Sequence, residues 1–586
     1  MGKEINRIRI NCLYSENRVF DPIEFRDGVN IILGEKYDVQ TISGRKTNGV
    51  GKSMSIEFLD FCFLSDYDKS RLSKIPKDIL NLDEYILLDI EIGEESLTLK
   101  RNRRQHDKPI IVRNQKEVTF DKLQDAKDYL TELIFSQLNG SVVPSFRNLL
   151  SILIRDERSE FTDITKCHDL TKRIPDDLTV HLFLLCFSLE SYKKSMETIR
   201  EIDKITKVIN SNKKDLTNNG TKKVSDVKAE LNALDDELSK MEEAIESFKT
   251  NETFGSMEAD LIELESMLET LRKKQKALRY EYNKIRRVPK PEAIDDNEIE
   301  LVYNQFKSDL GEAIVKSLNE VVGFKNKVEE FQKVLVNQKA KELEEQLKDI
   351  AENIRVLDEE YSEKMKVIDT KGVLKNLKAS LKIFESKKDA IANTKFLFGQ
   401  YDGNEKKKKR LKLQKSQQIL DIDSDIEENS KVIQSFIDTI LEIHESIMGN
   451  KECSFNIQTI DTAKRKTSME ISLRIYDDGS HSVNRTKVFI YDMALLFNKY
   501  TRMRHPLFLV HDNIFDVDQD TLVQCLNYLY KQEEQFQDFQ YILTLNRDKI
   551  ENEEQRKLIK INIDEHKVAT FTKENKFLKN DYQETN

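Results

Sequence analysis

A run of seven residues near the amino terminus has the types and spacing of a phosphate-binding loop. Its residues are Thr47, Asn48, Gly49, Val50, Gly51, Lys52 and Ser53. Glycines allow such a loop to surround an anion with backbone N–H groups, and the helix that follows adds its amino-terminal dipole. The lysine then reaches the β- and γ-phosphates of a nucleotide, and the serine hydroxyl is a ligand of Mg²⁺. The run therefore predicts a site for ATP and Mg²⁺.

The flanks of this run match the strand–loop–helix context that the motif requires. An apolar segment at 29–33 precedes it, and a helix-like stretch at 54–64 follows it. The spacing departs from the usual one, because Lys46 occupies the place of the first glycine and Gly34 ends the strand. Residues 35–46 are therefore interpreted as an insertion within the loop. A polar turn that happens to contain glycines is the alternative interpretation.

A second motif lies far downstream, where an apolar segment at 507–510 leads into His511 and Asp512. A strand that ends in aspartate, the Walker B pattern, holds Mg²⁺ opposite the serine of the phosphate-binding loop. Short strands of this kind are common, so the pattern gains its weight from its pairing with the loop. The long separation predicts an ATPase head assembled from both ends of the chain, with Lys52, Ser53 and Asp512 at its centre.

Two further parts of the site are expected downstream of Asp512. Asp516 and Asp518 follow it at the spacing of the D-loop of such heads. Asn546 ends the next predicted strand, where a residue normally contacts the γ-phosphate. A plain turn residue is the alternative interpretation of an asparagine at a strand end.

A polar loop is predicted at 478–487, immediately before an apolar helix. In a head of the ABC type, this position holds the signature loop, which contacts the γ-phosphate of ATP bound on a second head. The usual L-S-G-G is absent, so Ser480, Ser482 and Asn484 are candidates on position and chemistry alone. Such a loop predicts a homodimer formed through the heads. A polar hairpin loop that leads into a helix is the alternative.

Composition places limits on the class of protein. The 586 residues are 34% charged and 38% hydrophobic, with only 17 Gly and 8 Pro, which favours long helices. The net charge of −10 argues against a generally basic nucleic-acid binder, although it allows a local basic surface. Six scattered cysteines without a C-x-x-C pair fit a reducing cytoplasm and exclude a zinc site of that type. The sequence shows no signal peptide and no apolar run that could span a membrane.

Three regions differ in their sequence pattern. Residues 1–190 and 451–586 mix short apolar runs with turns, and they are predicted to be the two lobes of the head. In residues 191–450, apolar residues alternate at spacings of three and four between lysines and glutamates. That pattern is typical of a coiled coil.

The helical region is interpreted as an antiparallel hairpin. Pro289 and Pro291 end its first helical stretch, because proline lacks the N–H that the helix ladder needs. The tip of the hairpin is therefore expected within 288–325. Further breaks are expected at Gly372 and at 399–403. A packed helical bundle is the alternative interpretation.

Together these residues resemble the SMC-like branch of the ABC ATPases, which includes SMC proteins, RecN and the zinc-hook repair ATPases. They look closer still to an uncharacterised bacterial family with a TNGVGKS loop, an R-x-K…YD helix, and strands ending in HD-x-x-F-D and TLN. In this chain the motifs are 47–53, Arg485-Thr486-Lys487 with Tyr491-Asp492, 511–516 and 544–546. The resemblance implies an α/β fold class, with a split ABC-type P-loop ATPase head and a long inserted antiparallel coiled coil.

The sequence departs from the resemblance in two ways. SMC-type heads carry a glutamate directly after the Walker B aspartate as the base that polarises water, whereas this chain has Asn513. An amide cannot accept that proton, so hydrolysis is expected to be slow or to use Asp516 or His511. Zinc-hook relatives carry C-x-x-C at the tip of the coil, and this chain carries none.

Some relatives occur in bacterial anti-phage or anti-plasmid operons such as Lamassu and three-component ABC systems. The resemblance implies an ATPase of a DNA-sensing defence or DNA-maintenance complex, whose heads dimerise around ATP and signal to DNA and an effector nuclease subunit. A nucleotide-gated scaffold with little turnover is the alternative that Asn513 favours. Basic clusters at 101–104 and 406–410 could contact phosphates, although a solvated surface is the favoured interpretation of each.

Overall fold

The computed structural model describes residues 4–38, 40, 47–138, 140–167, 177–249, 258–286, 318–368, 373–462, 466–476 and 480–582. Met1–Lys204 and Lys409–Asn586 form one compact unit, called the head, and Ile205–Lys408 form a second, called the arm. The predicted α/β fold class is confirmed, because both ends of the chain build one head and long antiparallel helices lie between them. The limits 191–450 for the helical region stay a prediction.

The strands are β1 (Ile8–Ser15), β2 (Ile23–Glu24), β3 (Gly28–Gly34), β4 (Ile86–Ile92), β5 (Glu95–Arg101), β6 (Ile110–Arg113), β7 (Lys116–Thr119), β8 (Ile154–Arg155), β9 (Cys453–Thr459), β10 (Met469–Ile475), β11 (Phe508–His511), β12 (Gln540–Asn546) and β13 (Lys567–Phe571). The helices are α1 (Lys52–Cys62), α2 (Leu123–Ile134), α3 (Phe146–Leu153), α4 (Thr179–Leu184), α5 (Leu189–Leu216), α6 (Val224–Lys249), α7 (Glu258–Arg286), α8 (Leu318–Ile368), α9 (Val373–Glu428), α10 (Ser430–Met448), α11 (His481–Phe497), α12 (Gln519–Gln535), α13 (Glu553–Arg556) and α14 (Ile563–His566).

A five-stranded parallel sheet, in the order β13-β3-β12-β11-β8, joins the two ends of the chain. Every residue of β3 is buried, which explains its unbroken apolar run, since the strands of parallel sheets are covered on both faces. In this register Gly34 lies opposite Asn546. The carboxyl ends of the strands therefore meet at one edge of the sheet, where the loop before α1 begins.

A six-stranded antiparallel sheet, in the order β2-β1-β4-β5-β6-β7, forms the other layer of the amino-terminal lobe. Along most of its β4–β5 hairpin, buried residues alternate with partly exposed ones. Gln540 joins the two sheets: its Oε1 accepts from Ile10 N at 2.6 Å, and its Nε2 donates to Ile10 O at 2.7 Å. This buried amide connects the first strand of the chain to β12.

Two elements differ from what their sequence predicts. The apolar stretch 180–189 has the pattern of one helix, yet it forms only the short α4, and Cys186 then takes a left-handed φ of 66° before α5 begins. The break expected at 399–403 is absent, because α9 runs through both glycines; a glycine costs a helix only about 1 kcal/mol relative to alanine. The break expected at Gly372 lies outside the described residues.

The first predicted basic cluster, at 101–104, is part of the core. Arg101 and Arg103 are buried, and their guanidinium groups donate to backbone carbonyls, including Leu80 O at 2.7 Å and Ser65 O at 3.0 Å. Arg104 pairs with Asp83 at the surface. Because they are buried, Arg101 and Arg103 neither form a solvated surface nor reach a phosphate in solvent. Each guanidinium group has several N–H donors, and these bond to carbonyl groups of nearby turns.

In the arm, α7 and α8 lie antiparallel. Arg272 Nη2 is 3.0 Å from Asp358 Oδ1, and Lys364 Nζ is 3.1 Å from Asp260 Oδ2, so residue numbers rise along one helix as they fall along the other. Most of the predicted tip, 288–317, lies outside the described residues, and α8 begins at Leu318.

A third and a fourth helix join this pair. α7 also contacts α9 in the parallel direction, through Lys276 with Asp389 at 3.6 Å, and through Tyr280, whose ring centroid is 6.3 Å from that of Phe396. α6 contacts the same stretch of α9 in the opposite direction, through the ion pairs Glu237–Lys387 and Asp235–Lys395. The chain therefore reverses between α6 and α7 as well, a reversal that the single predicted hairpin does not include. Among the described residues, no helix is long and apolar enough to cross a membrane.

Candidate functional site

The predicted phosphate-binding loop, residues 47–53, lies at the carboxyl end of β3. Gly49 and Gly51 have left-handed φ values of 69° and 103°, and Gly51 is the residue that begins α1. A Cβ atom on Gly51 would lie 2.5 Å from the Cβ of Phe577, so both the backbone and its neighbour require glycine. Lys46 and most of the expected insertion, residues 41–46, lie outside the described residues.

Lys52 is buried at the base of this loop. Its Nζ donates to Thr47 O at 3.1 Å and to Asn546 Oδ1 at 2.5 Å. Burial lowers the pKa of the ammonium group, and the charge of Asp512 acts in the opposite direction. An ammonium group has three donors, so two are directed at these oxygens and a phosphate oxygen can accept the third.

Asp512 follows β11 and is 1% exposed. Thr544 Oγ1 donates to its Oδ1 at 2.7 Å, and the hydroxyl of Ser53 is also hydrogen-bonded to the carboxylate. Burial raises the pKa of Asp512, and these two hydrogen bonds act against that rise. The two oxygen groups predicted to hold Mg²⁺ are therefore in contact, although their residues come from opposite ends of the chain.

The donor set fits Mg²⁺ rather than a metal with an all-protein cage. The described residues contain no cluster of three or more His, Cys, Asp or Glu side chains that could hold a metal. Mg²⁺ is commonly bound by one or two protein oxygens together with substrate phosphates and water. Ser53 and Asp512 would supply those protein oxygens.

Asn546, at the end of β12, connects the two motifs. Its Oδ1 accepts from Lys52, and its Nδ2 donates to Asn48 Oδ1 at 2.8 Å. The loop, the lysine and the strand end are thus joined by one amide side chain. The contact between Asn546 and a γ-phosphate stays a prediction, and the residue lies beside the atoms that such a contact requires.

Asn513 occupies a strained turn beside Asp512. Its φ is 65°, its N donates to Thr544 Oγ1 at 2.9 Å, and its carbonyl accepts from Arg485 Nη1 at 2.5 Å. Its side-chain Nδ2 is 3.5 Å from Glu157 Oε2. A carboxylate therefore lies next to the position where the sequence lacks one.

Glu157 is a candidate functional residue that the sequence motifs missed. It follows the two-residue strand β8, lines the same cavity as the phosphate-binding loop, and is solvent-exposed. Its charge acts on both Lys52 and Asp512. The available signal was weak, since an acidic pair after a short apolar helix fits an ordinary turn.

The other two candidate bases lie in different surroundings. His511 is fully buried; its Nε2 is 3.0 Å from Asp492 Oδ2, and its Nδ1 is 2.9 Å from the Tyr541 hydroxyl. Burial lowers its pKa, so the neutral ring donates to the carboxylate through Nε2 and accepts from the tyrosine. Asp516 is exposed and accepts from Lys549 Nζ at 2.8 Å, which lowers its pKa.

The predicted signature-like loop is shorter than expected, because α11 begins at His481. Ser480 caps this helix and accepts from Val483 N at 3.2 Å, and Asn484 lies in the first turn. Ser482 Oγ donates to Asp518 Oδ2 at 3.2 Å, which joins the start of α11 to the start of α12. None of the three candidates lines the cavity described next, within the residues that the structure describes.

A cavity of about 480 Å³ unites the two motifs. Its lining includes all of 48–54 together with Glu157, Asp512, Asn513 and Thr544. A carboxy-terminal stretch, 576–582 without Lys579, completes the wall. A cavity of this size can hold a nucleotide-sized ligand.

A buried ion pair between Arg155 and Asp492 lies next to the strand that leads into Asp512. Arg155 Nε is 2.8 Å from Asp492 Oδ2, and its Nη2 donates to Asp492 Oδ1 at 2.9 Å and to Ile164 O at 2.6 Å. Both side chains of the pair are almost fully buried. The pair connects β8 to α11, and His511 adds β11 to the same network.

Comparisons with known proteins give distant similarities. Residues 443–582 match a family described as "Uncharacterised protein conserved in bacteria (DUF2326)". The uncharacterized protein YydD of Bacillus subtilis (strain 168) is 21% identical over 535 residues, which cover 83% of this chain and 84% of that protein.

Two solved structures are also similar. One is the Smc head domain with a coiled coil and joint from Pyrococcus yayanosii, with 12% identity, a TM-score of 0.33 and 92% coverage of each chain. The other is the Smc head domain of Pyrococcus furiosus with an extended coiled coil, bound to the C-terminal domain of ScpA. It has 10% identity, a TM-score of 0.31, and coverage of 93% of this chain and 91% of that one.

Replacing Asp492 by alanine is expected to destabilise the head by about 3–5 kcal/mol, because Arg155 would keep a buried charge without its partner. Asp538→Ala is the matched control. It removes an exposed partner of Arg502, and a change below about 1 kcal/mol is expected. Chemical denaturation followed by tyrosine fluorescence measures both, since the chain has no Trp. Equal losses in the two variants would contradict the role given to the buried pair.

Proposed function

We propose that this chain is an SMC-like subunit that binds and hydrolyses ATP, with heads that dimerise around the nucleotide. The observation that carries the proposal is the contact of Ser53 with Asp512, beside the buried Lys52. Lys52 would balance phosphate charge, and Ser53 and Asp512 would offer oxygen ligands to Mg²⁺. Lysine, serine and aspartate have these roles in phosphoryl-transfer sites.

The dimer part of the proposal comes from the position of Ser480 and Ser482 at the start of α11. Both lie outside the cavity of their own head, and Ser482 is linked through Asp518 to the segment after Asp512. A second head could therefore receive them at its nucleotide. Arg485, on the same helix turn, holds the carbonyl of Asn513 and would relay such a contact to the catalytic edge.

The wider role is proposed by analogy with relatives of this type. DNA would be sensed by the dimer, and an effector nuclease subunit would be the partner that it activates in a bacterial defence or DNA-maintenance complex. The basic run at 406–410 on α9, in which all residues but Lys408 are exposed, supports a DNA contact. The buried Arg101 and Arg103 do not support one.

A nucleotide-gated scaffold with little turnover is the second candidate, and Asn513 is the observation that favours it. The two candidates differ in the availability of a base. For the hydrolase, we propose that Glu157 accepts the proton of the attacking water. Its carboxylate is exposed, lies on the cavity and sits beside the Asn513 amide, whereas His511 is enclosed by its own partners.

Nucleotide binding is expected to require Lys52 and Asp512. In a titration with MgATP, Lys52→Ala should lose about 100-fold or more in affinity, because the charge-assisted contact to phosphate is removed. Asp512→Ala should also lose affinity, and the size of that loss should depend on Mg²⁺. Asp520→Ala, an exposed aspartate on α12, is the control and should bind as wild type. Wild-type affinity in both site variants would remove the proposal.

Hydrolysis is expected to depend on Glu157. Glu157→Gln should lower kcat by about 10²–10³-fold, the contribution of a general base, while MgATP affinity is kept. Glu160→Gln is the matched control, an exposed glutamate three residues away. Asn513→Glu, which restores a carboxylate, should raise turnover in the Glu157→Gln background.

The comparison with Asp516→Ala separates the candidates for the base. Loss of turnover in Asp516→Ala with normal turnover in Glu157→Gln would move the base to Asp516. Tight MgATP binding without measurable turnover in the wild type, with or without double-stranded DNA, would select the scaffold.

ATP is expected to double the mass of the wild-type chain in solution. Light scattering with a non-hydrolysable ATP analogue should give a dimer for the wild type and a monomer for Ser480→Arg/Ser482→Arg, because two bulky cations would enter the predicted interface. Gln535→Arg, an exposed change at the far end of α12, should still dimerise. A mass that ignores nucleotide, or a double variant that dimerises normally, would refute the arrangement.

A further inference from the structure

The carboxy-terminal segment, residues 572–582, follows β13 and crosses the phosphate-binding loop. β13 pairs in parallel with β3, so the chain leaves the sheet at the edge where this loop begins. Phe577 N then donates to Val50 O at 3.1 Å. A backbone hydrogen bond thus joins the end of the chain to the middle of the loop.

Phe577 anchors the segment in the core. It is 2% exposed, and its ring centroid lies 4.5 Å from that of Phe20 and 5.0 Å from that of Phe58. Its Cβ occupies the space that a side chain on Gly51 would need. The segment is therefore packed against the loop at a defined register, and the side chains on either side of Phe577 have defined positions.

Two lysines of the segment lie at the loop. Lys573 Nζ is 3.2 Å from the position that a Cβ on Gly49 would occupy. Lys576 lines the cavity, and it pairs with Asp581. Burial and the charge of Lys573 lower the pKa of Lys576, and Lys573 also lowers that of Lys52.

Two ammonium groups of the carboxy-terminal segment and that of the distant Lys52 therefore lie near one loop. Their like charges repel each other, and this repulsion is stronger where water is partly excluded. Backbone N–H groups of the loop and the amino terminus of α1 add further positive potential. An anion of several charges bound at this loop would offset that repulsion.

We propose that Lys573 and Lys576 bind the polyphosphate chain of the nucleotide, which makes the carboxy-terminal segment a part of the nucleotide site. This inference rests on the proposed function, because it assigns further ligands to the same nucleoside triphosphate. It also assigns a binding role to residues that lie beyond every motif in the sequence. Asp581, as the partner of Lys576, would hold that lysine over the cavity.

The test measures MgATP affinity in Lys573→Gln, Lys576→Gln and the double variant of the full chain. Each single change should weaken binding about 10-fold, as expected for loss of one charge-assisted contact, and the double change should weaken it further. Lys579→Gln is the matched control: its Nζ is 2.7 Å from Asp21, away from the cavity, and its affinity should stay within about 2-fold of wild type. Lys573→Arg should keep most of the affinity, because the charge remains.

Two further measurements give each outcome a single meaning. Thermal unfolding of every variant should match the wild type, since the changed side chains are polar and partly exposed. Normal MgATP affinity in the double variant, together with its loss in Lys52→Ala, would overturn this inference and leave the proposed function intact. No MgATP binding by the wild type would overturn the proposed function itself.

Discussion

The parallel pairing of β3 with β12, and of β12 with β11, is the constraint on which the site depends. These strands come from opposite ends of the chain, and their register places Gly34 opposite Asn546. Because parallel strands end at a common edge, the loop after β3 and the aspartate after β11 meet there. A slip of one residue would turn each side chain to the other face of the sheet. Gln540, bonded to the first strand, holds that register from the other layer.

At this edge, hydrogen bonds from neighbouring side chains compensate for the burial of two charged groups. Lys52 is held by Asn546, and Asp512 by Thr544 and Ser53, so neither charge is left in the core without hydrogen bonds. Below them, the Arg155–Asp492 pair joins α11 to β8 of the parallel sheet. A displacement of α11 would therefore shift β11, the strand that leads into Asp512, and under the proposed function this is a physical route from a partner head to the nucleotide.

Local motifs account for what could be predicted from the sequence. The loop at 47–53 and the strand before Asp512 each have a pattern confined to a few residues, and the distance between these two patterns predicted the divided head. Glu157 has none, because β8 is only two residues long and its place beside Asn513 depends on sheet order. Its sequence suggested that Arg101 is exposed, yet the side chain is buried and donates to the backbone carbonyl of Ser65, 36 residues earlier in the chain. The reversal between α6 and α7 could not be predicted, because a break in an apolar repeat marks the end of a helix and gives no direction for the next helix.

The sheet order has a consequence for synthesis of the chain. The six-stranded sheet contains only strands between Ile8 and Thr119, so it can form soon after those residues leave the ribosome. β3 is made at the same time, but both of its neighbours, β12 and β13, are among the last strands made. At about 5–20 residues per second, roughly 25–100 s separate β3 from its partners. During that interval an apolar strand has two open edges, which is a hazard for aggregation that a chaperone or the nascent antiparallel layer must cover.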